Sequence, residues 1–173
     1  MGYIRNGVKY TNSYGILFSI IYFCTVVRKK LKIMGTRATI KIARREEGVS
    51  FSEKPEKFMV SIYHHFDGYP EYLGVTLANY LEDKKIVNGL SADRNEPVFN
   101  GLGCMAASII AELKEEAGNV YIEDPERPSG WIDYEYYIWG DTGKDIWISI
   151  FDGDKCIFVG KPDKLQTEYM WHG

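Results

Sequence analysis

At 173 residues the chain can bury one substantial core but not two of ordinary size. Its 45% hydrophobic and 26% charged residues exclude a disordered or fibrous chain, and the net charge of -3 excludes nucleic-acid binding by bulk charge, leaving room only for a local basic patch. Cys24, Cys104 and Cys156 lie far apart with no CxxC pair. That pattern excludes a disulfide frame or a zinc ribbon and fits a reducing compartment.

In chain order, the first feature is the apolar run "YGILFSIIYFCTVV" at 14–27, followed at once by Arg28, Lys29, Lys30 and Lys32. A bilayer span needs about 20 apolar residues, and a signal peptide would end in a small-residue cleavage site, which is missing here. Three readings follow: a start-site extension, with Met34 the natural start; a membrane anchor with its basic flank inside; or a buried helix. The extension is favoured, because "MGTRATIKI" leads straight into a strand. Residues 1–33 are therefore expected to be non-native or anchor-like, and residues 34–173 to form a single domain. The match of residues 34–39 to a myristoylation pattern is short enough to arise by chance.

Residues 36–44 alternate, with Ala38, Ile40 and Ile42 on one face and Arg37, Thr39 and Lys41 on the other. The pattern predicts a half-buried strand with a basic outer face. Phe58, Val60 and Ile62 predict a second strand, paired with the first as a hairpin. A helix is predicted over residues 70–84, with Pro70 in its first turn and Leu73, Leu77, Tyr80 and Leu81 as its apolar stripe. A long connection leads to a second helix over residues 102–117, stopped by Gly118. The remainder reads as four strands: "NVYIED", "WIDYEYYIW", "DIWISIF" and "CIFVG", joined by turn signals into an antiparallel meander. The predicted fold class is α+β in the order ββααββββ.

The meander has an unusual second face. Opposite the isoleucines stand Trp131, Tyr137, Trp139, Trp147 and Phe151, too many rings to leave in water. The N-terminal hairpin, a second subunit or a planar ligand could cover them. The expectation is one of the last two, hence a homo-oligomer or a ring-stacking site.

The segment "YHHFDGYPEYLG" (63–74) concentrates the polar chemistry. His64 and His65 point to opposite faces if the strand runs through both, which disfavours a shared metal. His65 and Asp67 would face one way and could form an imidazole–carboxylate pair of the kind that orients a general base. No third catalytic partner accompanies them. The structural alternative makes Asp67-Gly68 a turn, with Asp67 capping the helix that follows. Other fragments are plainer. "DTGKD" and "DGDK" lack the spacing of calcium loops and read as hairpin turns. "NGLG" lacks the Lys and Ser/Thr of a P-loop. Arg37, Lys41, Arg44 and Arg45 form the basic cluster, solvated or phosphate-facing.

"MGTRATIKI", "YHHFDGYPEYLG", "NGLGCMAASII" and "IDYEYYI" together resemble a family of small uncharacterised proteins carried by phages and prophages, over most of residues 34–151. The resemblance carries over no catalytic residues. The element order and size also resemble the phage sponges that sequester cyclic-ADP-ribose signals in Thoeris anti-defence, a likeness of architecture alone. It implies a non-enzymatic accessory protein, possessing no cofactor or metal, in the cytoplasm of the host cell. Such a protein would bind a nucleotide-like small molecule or a host protein through Arg37, Lys41, His64, His65, Asp67, Tyr69, Trp139 and Trp147. The alternative is a small hydrolase or nuclease using His65 and Asp67.

Overall fold

The computed structural model describes residues 35–89, 97–124 and 130–169; the apolar run at 14–27 and its possible roles lie outside them. Gly35–Gly173 make up one compact unit. Its strands are β1 (Ala38–Arg44), β2 (Val60–His64), β3 (Lys85–Val87), β4 (Val98–Asn100), β5 (Val120–Ile122), β6 (Tyr134–Gly140), β7 (Trp147–Asp152) and β8 (Lys155–Gly160). Its α-helices are α1 (Val75–Leu81), α2 (Gly101–Leu113) and α3 (Pro162–Tyr169). The fold is α+β, with three helices and a mostly antiparallel sheet of six strands in the order β5-β2-β1-β6-β7-β8.

That order corrects the expected topology in three places. β5 does not join the meander; it pairs with β2 at the far edge, Tyr63 opposite Tyr121. β6 instead lies beside β1, and parallel to it, from Ala38 opposite Tyr134 to Arg44 opposite Gly140. The meander is thus three strands, β6-β7-β8. Inside the expected long connection, β3 and β4 form a small parallel sheet, and α3 is an element that sequence periodicity missed. Being central, β1 is buried on both faces: Thr39 and Ala43 are inaccessible along with Ala38, Ile40 and Ile42. The expected solvated basic face is correspondingly reduced.

One sheet face carries Ala38, Ile40, Ile42, Ile62, Tyr136, Ile138, Ile148 and Ile150. It packs against Leu73, Leu77 and Leu81 before and within α1, against Met105 and Ile109 of α2, and against Leu165 of α3. Burial of such side chains, at about 1.5–3 kcal/mol each, is the main driving term for this layer. α2 ends at Leu113 rather than at residue 117, and Gly118 takes its positive φ of 95° in the turn beyond. The first helix opens with a π-helical turn, Pro70–Gly74, that runs directly into α1.

The opposite face holds a second, smaller core: Ala43, Tyr137, Trp139 and Phe151, with Phe51, Phe58, Trp147 and Cys156 against it. Phe51 and Phe58 come from the β1–β2 connection, so the chain itself covers the aromatic face that was expected to meet a second subunit or a ligand. The ring of Phe51 stacks on Trp147 at 5.0 Å and meets Trp139 at 5.3 Å. Trp139 Nε1 donates to Ser149 Oγ at 2.8 Å, and Ser149 Oγ donates to the Phe51 carbonyl at 2.5 Å. Of the five rings, only Trp131 stands in solvent, 76% exposed, and it precedes the strand.

Candidate functional site

The residues of "YHHFDGYP" are divided between the two faces of the sheet. His64 lies opposite Ala38 and therefore on the helix side. It is buried, and loss of solvation pulls its imidazole below the usual histidine range, against the Phe66 backbone and the Asp67 and Glu115 carboxylates, which raise it. Tyr63 and His65 point the other way. Nδ1 of His65 is hydrogen-bonded to the Tyr63 hydroxyl at 2.6 Å, so the expected His65–Asp67 pairing is replaced by a His65–Tyr63 pair. The two-residue period of a strand explains this: Tyr63 and His65 share a face while His64 cannot.

Asp67 does not cap the helix. The cap position belongs to Tyr69 and has no side-chain hydrogen bond. Tyr69 instead accepts the Tyr72 and Leu73 backbone N–H groups on its carbonyl, and its ring lies 6.0 Å from that of Tyr72. Asp67 takes a left-handed backbone, φ 52°, a conformation that aspartate tolerates better than most residues. Gly68 packs where a Cβ would lie 2.7 Å from that of Ala38. Its N–H donates to the Thr36 carbonyl at 2.9 Å, and its carbonyl accepts the Tyr136 hydroxyl at 2.8 Å. The turn is thereby tied to both central strands.

Of the other expected binding residues, Lys41 is already engaged. Its ammonium lies 2.6 Å from Glu135 Oε2, between the rings of Phe58 and Tyr137. Lys54 reaches the same carboxylate at 2.6 Å. Burial pushes the Glu135 carboxyl up, but the hydrogen bonds from Lys41 and Lys54 outweigh it, and the group sits below its ordinary value. Trp139 and Trp147 lie under Phe51. Trp147 Nε1 is buried without a hydrogen-bond partner among the described residues.

Arg37 is exposed and forms no ion pair among the described residues; its backbone N–H donates to Asp133 Oδ2 at 2.7 Å. It stands at the open half of the second face, which the β1–β2 connection leaves uncovered. Here the registers align Tyr121, Tyr63, Thr39 and Glu135 in one row across four strands. The rings run on in contact: Tyr121 to Tyr63 at 5.9 Å, Tyr63 to His65 at 5.6 Å, and His65 to Phe66 at 4.3 Å. Tyr121 and Phe66 are half in solvent. The Tyr63 hydroxyl is shifted up by burial, with the nearby Arg37 charge pulling the other way. Thr39 Oγ1, in the same row, has no hydrogen-bond partner among the described residues. The sequence reading missed Tyr63, Tyr121 and Phe66 as a group, because β5 was placed in the wrong part of the sheet. The alternation of Tyr63 with His65 was the available signal.

Among the described residues no group of three or more His, Cys, Asp or Glu side chains could hold a metal ion. Nor is any described helix long and apolar enough to cross a membrane. No protein-family model, curated protein or solved structure matches the chain.

Proposed function

We propose that the chain is a non-enzymatic accessory protein of a phage or prophage that binds a nucleotide-like ligand on the open half of its sheet. The observation that carries this reading is the ribbon of rings from Tyr121 through Tyr63 and His65 to Phe66, with the guanidinium of Arg37, which has no ion pair among the described residues, near Tyr63. Exposed rings offer a stacking surface to a base, worth about 1–3 kcal/mol per base, and a guanidinium can grip a phosphate with two parallel hydrogen bonds. The phage setting rests on the sequence resemblance, and an anti-defence role rests on a likeness of element order from which the observed topology departs. Lys41, Trp139 and Trp147 drop out as ligand contacts because the fold already uses them. A hydrolase built on His65 and Asp67 has less support, since His65 pairs with the Tyr63 hydroxyl and not with Asp67. The homo-oligomer expectation likewise loses its basis once Phe51 covers the aromatic face.

Calorimetric titration with nucleoside monophosphates, cyclic nucleotides and ribose 5-phosphate tests the reading. Binding of the nucleotides but not of the sugar phosphate is expected. Tyr63→Ala and Arg37→Ala should each weaken it about tenfold, in line with the stacking and charged hydrogen-bond energies above. Absence of binding by the wild-type chain, or affinity unchanged in both variants, overturns it. Turnover of a bound nucleotide would favour the hydrolase.

A further inference from the structure

On the helix side of β2, opposite the proposed nucleotide face, lies a cleft of about 360 Å³. Its wall combines His64 with four carboxylates: Asp67 from the turn after β2, Glu112 near the end of α2, and Glu115 and Glu116 just beyond it. Among the described residues no lysine or arginine lines it. The neighbouring Lys114 ammonium is spent on the Glu116 carbonyl and Asn119 Oδ1, at 2.6 and 3.2 Å. His64 is only 7% exposed; its imidazole has a hydrogen bond to the Phe66 backbone, and its Nδ1 has no partner among the described residues. Buried polar atoms in native folds are nearly always paired, so an orphan on the wall of a cleft points to a partner that arrives from outside.

The chemistry of that partner follows from the wall. Ionised carboxylates only accept hydrogen bonds, and a neutral imidazole protonated on Nε2 accepts at Nδ1. Every group awaiting a partner is then an acceptor, and the local charge is negative. The complement is a group with several N–H donors, a positive charge and no lone pair, which describes an alkylammonium or a guanidinium. The ring of Tyr72 on the same wall adds a face that attracts a cation. The volume is at the small end of ligand sites, about 300–1,000 Å³, and suits a short aliphatic chain. We infer that this cleft is a second binding site, which takes a primary ammonium group by donation to Nδ1 of His64 and to the Asp67 and Glu115 carboxylates. It does not rest on the nucleotide reading: it lies on the other face of β2, and of the residues proposed for the nucleotide it shares only Phe66.

Calorimetry on the full chain with 1,4-diaminobutane tests it, with 1,4-butanediol as the uncharged control and tetramethylammonium as a cation without N–H donors. The diamine should bind, both controls should not, and the ¹⁵N shift of His64 Nδ1 should move on saturation. Glu115→Gln, on the exposed rim, should weaken binding at least threefold and His64→Leu at least tenfold. Should His64→Leu fail to fold, Glu112→Gln combined with Glu115→Gln provides the loss-of-charge test without touching the buried ring. A lysine amide capped as acetyl-Lys that binds better than the diamine would assign the ammonium to a partner's side chain; the reverse would assign it to a free amine. No diamine binding, equal binding of either control, or an unmoved His64 signal overturns the inference.

Discussion

Gly68 shows how little freedom single positions have around the turn after β2. An added Cβ would meet Ala38 Cβ at 2.7 Å and the Thr36 carbonyl at 3.0 Å, so Gly68→Ala should cost about 1–3 kcal/mol, the usual range for overpacking. Asp67→Gly should leave stability unchanged or raise it, since glycine adopts the left-handed backbone more readily. A capping role would predict a loss instead, and chemical denaturation of the two variants separates these accounts. Two of the titrating groups that shape the acid limb are His64 and Glu135. His64 is held below its ordinary 6.5 by burial; its contribution is complete above that value and is lost as pH falls through the lowered one. Glu135 is held below 4.5 by Lys41 and Lys54, which together overcome its burial, so its share is complete above 4.5 and disappears at still lower pH. Stability measured against pH should fall in these two stages, and Glu135→Gln should flatten only the second.

The β1–β2 connection is the element whose role was least visible beforehand. Phe51→Ala should cost about 2–3 kcal/mol, below the usual range for a fully buried ring because Phe51 is only half covered. Replacing Trp139 and Trp147 together with serine should unfold the domain, read by circular dichroism, rather than change an oligomer's mass. Alternation did locate β1, β2, β6, β7 and β8 and assigned their isoleucines to the core face, because side-chain direction along a strand is a local property. Which strand pairs with which is not local. Nothing in "NVYIED" or "IDYEYYI" specifies that one joins β2 and the other β1, and misplacing β5 hid the ring ribbon. β3 and β4, with three residues each, are too short for a period to show. They depend on Gly140, where a Cβ would collide with Ile86. Tyr63 and His65 were on the same face in any reading, whereas the His64 cleft needed α2 and the turn after it to be brought alongside.

For the molecule as a whole, the parallel pairing of β1 with β6 has a consequence in time. The two strands are bridged at their entrance by the Arg37 N–H and the Asp133 carboxylate, 96 residues apart in sequence, and everything from β2 to β5 lies between. A chain ending before β6 should not unfold cooperatively, because β1 would lose its neighbour and the core its Tyr136 and Ile138; a fragment through residue 130 with a sharp thermal transition would refute this. Long-range pairings of this kind slow folding, since loop closure must precede the contacts that reward it. At a synthesis rate of about 5–20 residues per second, some 5 to 20 s separate the emergence of β1 from that of its partner. Through that interval β2 and β5 can find their places, but β1 has β2 on one edge only and its other edge stands open. The final assembly of this domain therefore follows the synthesis of β6, and its vulnerable period is the wait for that strand.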